Sequence, residues 1–202
     1  NRVNTALAAI TLLAAGHGLD AVREAVLADP HVPGRMEKVT ASTPRDGAPL
    51  AVVDYAHTPD AVAAALAALR PEAAPGGLII VLGAGGDRDR SKREAMGAAA
   101  ALGADQVFVT DDNPRSEDPA TIRAAVLAGA RSTGAGSRIE EVPDRAEAIA
   151  AAVEAAYAAG PGSVIAVVGK GHESGQDIAG VIHPFDDRTE LAAALDAAGG
   201  SA

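Results

Sequence analysis

Strand-like and helix-like patterns alternate along most of this chain, and few folds accept that alternation. Short apolar, β-rich segments fall at 50–53, 78–82, 106–109 and 163–168. Runs of this length and composition, bounded by turn residues, suit parallel strands buried on both faces. Helical patterns lie between them at 58–70, 91–103, 119–129 and 144–159, and a weaker strand is expected at 138–142. Strand–helix–strand succession calls for right-handed crossovers, so the pattern predicts an α/β fold: a doubly wound, mostly parallel, Rossmann-like sheet. Ile178–Ile182 is expected to add an edge strand, and 187–198 a final helix. The Ala/Gly bias at 127–137 and at the tail reads as loop and disorder.

The chain ahead of this pattern is different. Residues 5–15 read as a helix closed by Gly16, and 19–28 as a second one ending at Asp29-Pro30. Pro33-Gly34 then punctuates the chain, which divides it into residues 1–32 and residues 33–202. Asn1-Arg2-Val3-Asn4 leads straight into a helix with no initiator Met, so the chain reads as a segment of a longer protein.

Charge narrows the classes of partner. Against 17 Lys and Arg stand 27 Asp and Glu, a formal charge of −10 over 202 residues. Nucleic acid and anionic membrane surfaces both recruit basic segments, so neither is an expected partner. No run approaches the length of a membrane span, and none has the order of a secretory signal. Cysteine is absent, which removes disulfides, thiolate metal sites and a cysteine nucleophile, and fits a cytoplasmic location.

In a doubly wound sheet, ligands bind beyond the carboxyl ends of the strands. The unusual residues of this chain fall there. The segment at 50–53 ends in Asp54-Tyr55-Ala56-His57-Thr58-Pro59, and 78–82 runs into Gly83-Ala84-Gly85-Gly86-Asp87-Arg88. The third ends in Thr110-Asp111-Asp112-Asn113-Pro114-Arg115, and the fourth in Gly169-Lys170-Gly171-His172-Glu173. The loops at 71–77, 103–105 and 160–162, by contrast, are Gly, Ala and Pro spacers.

Asp111–Arg115 is open to two readings by itself. It is either an Asx-Pro turn with solvated charges, or a set of acceptors and donors for a ligand carrying ammonium and carboxylate groups. Its place among polar loops on one sheet edge favours the second. Arg88 is positioned to clamp a carboxylate or phosphate, whereas Asp89 and Arg90 fit a solvated turn equally well. His57 precedes a Pro-led helix start, which favours anions, although a capping histidine reads the same way. His172 is expected to be a structural hydrogen-bonder. The glycine loop is neither a dinucleotide fingerprint nor a P-loop. No nucleophile–base set and no metal-ligand spacing is present, so the chain reads as one that positions substrates, with no catalytic or metal-ligating residue of its own.

Together these loops resemble the carboxy-terminal part of the Mur ligases, most closely the diaminopimelate-adding ones. The matching stretches are Asn1-x-x-Asn4, Gly34–Glu37, Asp54–Asp60, Gly85–Asp89, Lys92-Arg93, Thr110–Pro119, Gly169–Glu173 and Phe185–Arg188, in family order across nearly the whole chain. The resemblance implies an ATP-dependent amide ligase of peptidoglycan precursor synthesis that uses Mg²⁺. Its partners would be meso-diaminopimelate, ATP and the UDP-N-acetylmuramoyl dipeptide, and it would act as a monomer. It further implies that residues 1–32 are the last helices of a central ATPase domain and 33–202 a Rossmann-like amino-acid-binding domain, with ATP and Mg²⁺ held mainly outside this chain.

Residue by residue, Arg88 resembles the family arginine on a diaminopimelate carboxylate. Asp112, Asn113, Pro114 and Arg115 resemble its reader of the distal amino-acid end, with Arg115 on the far carboxylate. Gly169 and Glu173 resemble the partners of the distal ammonium, and Asn4, Arg35, Asp54 and His57 the nucleotide contacts. Lysine has no second carboxylate, so Arg115 argues against a lysine-adding ligase, and the Asp112–Arg115 segment as a whole speaks against a folylpolyglutamate synthetase-like one too. A non-catalytic amino-acid-binding module is the remaining alternative. Ser91, Glu94 and Ala84 depart from the residues frequent in the family, away from the proposed contacts.

Overall fold

The computed structural model describes residues 2–28, 32–43 and 46–199, with the side chains of residues 2–4 outside that description. The chain divides into two compact units, Asn1–Val32 and Pro33–Ala202. The first is a pair of helices, α1 (Arg2–Ala14) and α2 (Leu19–Leu27), with Gly16 at a φ of 89° between them. Val22 is buried, while Leu7, Ile10, Leu19 and Leu27 are exposed.

The second unit runs β1 (Glu37–Val39), β2 (Leu50–Asp54), α3 (Pro59–Leu69), β3 (Gly77–Leu82), α4 (Lys92–Gly103), β4 (Gln106–Val109), α5 (Pro119–Ser132) and β5 (Arg138–Glu141). It continues as α6 (Arg145–Ala159), β6 (Ser163–Val168), β7 (Gly175–Ile178), β8 (Val181–Pro184) and α7 (Asp187–Gly199). The main sheet has the order β1-β2-β6-β3-β4-β5 and is parallel except for β1. Period-two alternation sends residues of one strand into two separate cores. Leu78, Ile80 and Leu82 of β3 pack with Leu66, Met96, Ile122 and Val126 beneath α3, α4 and α5. Ile79 and Val81 of the same strand pack with Ile149, Val153, Leu191 and Leu195 beneath α6 and α7. The Rossmann-like expectation is met. Thr58, Asp118 and Asp144 cap α3, α5 and α6 through side-chain oxygens, and Pro follows at once in the first two.

One strand was not anticipated, and two expectations are corrected. Glu37–Val39 adds an antiparallel edge strand to β2, though two charged residues of its three gave no strand signal. Residues 178–182 are not an edge strand of this sheet. Ala179 and Gly180 turn there with φ of 52° and 80°, so the stretch straddles the tip of a separate hairpin, β7–β8. The helix expected over 119–129 runs on through residues 130–132, which were expected as loop. Gly129 serves there as a contact: a Cβ on it would lie 1.8 Å from the Glu94 carbonyl oxygen, so its absence lets α5 cross directly over α4.

Candidate functional site

The four polar loops converge at the carboxyl edge of the sheet on a cleft of about 350 Å³. Its lining includes Tyr55 and His57 after β2, Gly83–Gly85 and Arg88 after β3, Asp112, Asn113 and Arg115 after β4, and Gly169 and Glu173 after β6. The volume lies at the small end of ligand sites, ~300–1,000 Å³. Lys92, at the start of α4, also faces it.

The cleft has two poles. At Gly85, the Arg115 guanidinium and the Arg88 stem both come within 4 Å of where a Cβ would sit. Arg115 Nη1 donates to the Gly86 carbonyl at 2.7 Å, and Arg88 is exposed, with no ion pair among the described residues. At the end of β6, Asp112 Oδ2 lies 2.5 Å from an ideal Gly169 Cβ position, and Glu173 follows four residues later. One end is therefore cationic and the other anionic, which suits an amino acid carrying both signs of charge.

Asp112 is the informative member of the acidic pole. It is only 8% exposed, and its carboxylate accepts no hydrogen bond among the described residues. Burial pushes its carboxyl above the ordinary value, against the pull of Arg145 and Lys170 and with the push of Asp187 and Glu173. A carboxylate held short of donors is ready to take an ammonium. It also has a consequence for stability. Between 3.8 and the raised value, the native chain holds a proton the unfolded chain has lost, so stability falls as pH rises through that window. Asp112→Asn is accordingly expected to raise the thermal midpoint at pH 7, with the gain fading below pH 3.8, while amino-acid binding weakens. Melting curves across pH, beside a binding titration, check both halves.

The loop after β4 is fixed from several sides. Arg115 has a φ of 53°, a left-handed conformation that costs a non-glycine residue about 1–3 kcal/mol. Strand β7 holds it there: Arg115 N–H donates to Asp177 O at 2.9 Å, and its carbonyl accepts from Ala179 N–H at 2.7 Å. Gln176 Nε2 donates to Asp112 O, and Asp177 N–H to Asn113 Oδ1. Pro114 is buried outside the cleft lining, with its carbonyl 1.9 Å from an ideal Cβ on Gly86. Gly86 thus lets the two loops abut, and its N–H donates to Asn113 O at 2.8 Å.

Beneath these loops lies an ion pair that the sequence did not announce. Arg145 Nε and Nη2 bond both Asp187 carboxylate oxygens at 2.7 and 2.8 Å, and both side chains are fully buried. Nη2 also donates to Val168 O at the end of β6, and Nη1 to Asp111 O. One guanidinium therefore ties together the ends of β4 and β6 and the start of α7. Charge-adjacent spacing at helix starts was the available signal, but helix N-termini are commonly charged.

Of the residues expected to touch nucleotide, His57 lines the cleft, whereas Arg35 and Asp54 do not. Arg35 stacks on the Tyr55 ring at 4.7 Å, and His57 meets that ring edge-on at 4.6 Å. His57 Nδ1 lies 2.8 Å from Tyr55 O, and Lys92 Nζ donates to His57 O. Asp54 takes Met36 N–H and Ala56 N–H on its two carboxylate oxygens, at 2.8 and 2.9 Å, so it shapes the turn carrying Tyr55 and His57. Asn4 lies in α1, but its side chain is outside the described residues. His172 packs its ring 5.4 Å from Tyr55. Among the described residues no cluster of three or more His, Asp or Glu would hold a metal ion, and no helix is long and apolar enough to cross a membrane.

Residues 34–171 match the family described as Mur ligase, glutamate ligase domain. The chain is 51% identical over 197 residues to the UDP-N-acetylmuramoyl-L-alanyl-D-glutamate–2,6-diaminopimelate ligase of Streptomyces avermitilis, covering 96% of this chain and 37% of that protein. A solved structure of a ligase of that name superposes with a TM-score of 0.69 at 41% identity, over 95% of this chain and 37% of the other. Mycobacterium tuberculosis folylpolyglutamate synthase, solved with ADP and AMPPCP, superposes with a TM-score of 0.58 at 29% identity, over 76% of this chain and 33% of the other. The chain thus spans little more than a third of the relatives it matches.

Proposed function

This chain belongs to the Mur ligase family, and from that premise we propose that it is the amino-acid-binding part of an ATP-dependent ligase adding meso-2,6-diaminopimelate to UDP-N-acetylmuramoyl-L-alanyl-D-glutamate. The observation that carries this reading is the two-pole cleft. Asp112 and Glu173 offer acceptors for an ammonium, while Arg115 and Arg88 gather at Gly85 with donors for carboxylate. Diaminopimelate presents an ammonium and a carboxylate at each end. Its reacting end supplies the amine, and its distal end meets Asp112, Asn113, Glu173 and Arg115. Lysine would leave the Arg115 guanidinium without its anion.

In this reading ATP transfers its γ-phosphoryl group to the D-glutamate γ-carboxylate, giving an acyl phosphate and ADP. The diaminopimelate amine, having lost a proton, attacks the acyl carbon, and phosphate leaves as the amide forms. The contribution of this chain is to hold the amine in place, which in well-aligned systems is worth up to ~7–11 kcal/mol. The nucleotide would meet Arg35 and His57 on the Tyr55 platform, with Asp54 acting through the turn it braces and Asn4 from the first unit. Mg²⁺ finds no donor cluster among the described residues, so no step is assigned to it here. Residues 1–32 are assigned to the end of the central ATPase domain and 33–202 to the amino-acid domain. A cytoplasmic monomer is the expected setting.

The test is ADP release by the complete ligase. Release should require the UDP-dipeptide and meso-diaminopimelate together. Equal turnover with L-lysine in place of diaminopimelate would overturn the assignment.

A further inference from the structure

Lys170 sits in one of the site's loops but does not line the cleft. Its side chain is completely buried, between Gly169 and Gly171 in the loop after β6. A buried ammonium is costly, and a hydrophobic residue of similar volume is often as stable or more so. Its contacts define what it does there. Nζ donates to Asn113 Oδ1 at 3.1 Å and to Gly175 O at 2.6 Å, and lies 3.6 Å from Glu173 Oε2.

The Asn113 amide has an oxygen end and a nitrogen end of nearly equal shape, and only its surroundings decide which end points where. Two donors meet one end: the Lys170 ammonium, which has no acceptor capacity, and the Asp177 N–H at 3.0 Å. That end must be oxygen. The amide nitrogen is thereby turned to Glu173, donating to Oε2 at 2.8 Å. Without the ammonium, the amide oxygen would keep one backbone donor in place of two.

We infer that Lys170 is a positioning residue that locks the Asn113 amide and, through it, holds the Glu173 carboxylate in place to receive the substrate ammonium. The inference deepens the proposed function and rests on it. Lys170 touches neither substrate nor reacting atoms in this arrangement. Its effect falls on recognition of the amino acid and leaves the phosphoryl-transfer step alone.

The experiment is a double-mutant cycle in the complete ligase, reading KM for meso-diaminopimelate, KM for ATP and kcat. Lys170→Met is expected to raise the diaminopimelate KM by about 10- to 100-fold, the scale of lost hydrogen bonds to a charged group. KM for ATP and kcat should stay within about threefold. In an Asn113→Ala background the same replacement should cost less than about threefold, because the residue it acts through is gone. A general packing defect would lower kcat and raise both KM values together, and would cost as much in either background. That pattern, or a diaminopimelate KM unchanged in Lys170→Met, overturns the inference. Lys170→Gln, which keeps a hydrogen-bonding head of shorter reach and no charge, covers the case in which Lys170→Met does not fold. It should raise the diaminopimelate KM in the same direction with kcat and the ATP KM retained, and an unchanged diaminopimelate KM again overturns the inference. The two failures are separable: a wild-type enzyme that does not saturate with meso-diaminopimelate removes the functional reading itself.

Discussion

Replacing Arg115 with alanine in the complete ligase should raise the KM for meso-diaminopimelate by about two to three orders of magnitude, the scale of stranding one charge of a desolvated pair, ~2–5 kcal/mol. The guanidinium is preorganised: its Nη1 is tied to Gly86 O, and its backbone is held at a φ of 53° by two bonds to the β7–β8 hairpin. Little ordering is left for the substrate to impose, so the loss should fall on binding, with kcat changing far less. L-Lysine, which has no distal carboxylate, should be used no worse by the variant than by the wild type. Steady-state kinetics with both amino acids decides it. A diaminopimelate KM within a few-fold of wild type would remove Arg115 from the recognition set.

The second large effect is on stability. Arg145→Met leaves the Asp187 carboxylate fully buried without its partner and frees Val168 O and Asp111 O of a donor. Breaking a buried pair from one side costs about 3–5 kcal/mol, so the urea midpoint should fall sharply. Replacing both partners, as Arg145→Met with Asp187→Leu, should recover a large part of the loss, because no buried charge is then stranded. The residual deficit reports the two carbonyl bonds, about 1 kcal/mol each. Additive losses in the double variant would mean that the two side chains are not coupled, which contradicts a mutually compensating buried pair.

What the sequence revealed and what it hid follow from the same physics. β2, β3, β4 and β6 are buried on both faces, so their apolar runs are readable without knowing the partners, and the helices between them carry ordinary start signals. β1 and the β7–β8 hairpin are short and lie outside the buried strands. Gly175-Gln176-Asp177 carries no strand pattern, and the apolar residues that suggested one, Ile178 and Ile182, lie on either side of the turn. The site was legible as four loops on one edge, and the structure brings Arg88, Asp112, Asn113, Arg115, Gly169 and Glu173 to one cleft. The supports beneath them were not. Lys170 between two glycines reads as an ordinary loop cation, and Arg145 and Asp187 are 42 residues apart, each at a helix start where charge is routine. Pairing across such distances leaves no local mark in composition or spacing.

The cleft is proposed to read an amino acid by its second carboxylate. Calorimetric titration of the complete ligase with meso-diaminopimelate and with L-lysine, under identical conditions, tests it directly. The two-pole cleft predicts diaminopimelate binding tighter by about 100-fold or more, because lysine leaves the Arg115 charge unpaired. Equal affinities for the two amino acids would contradict it.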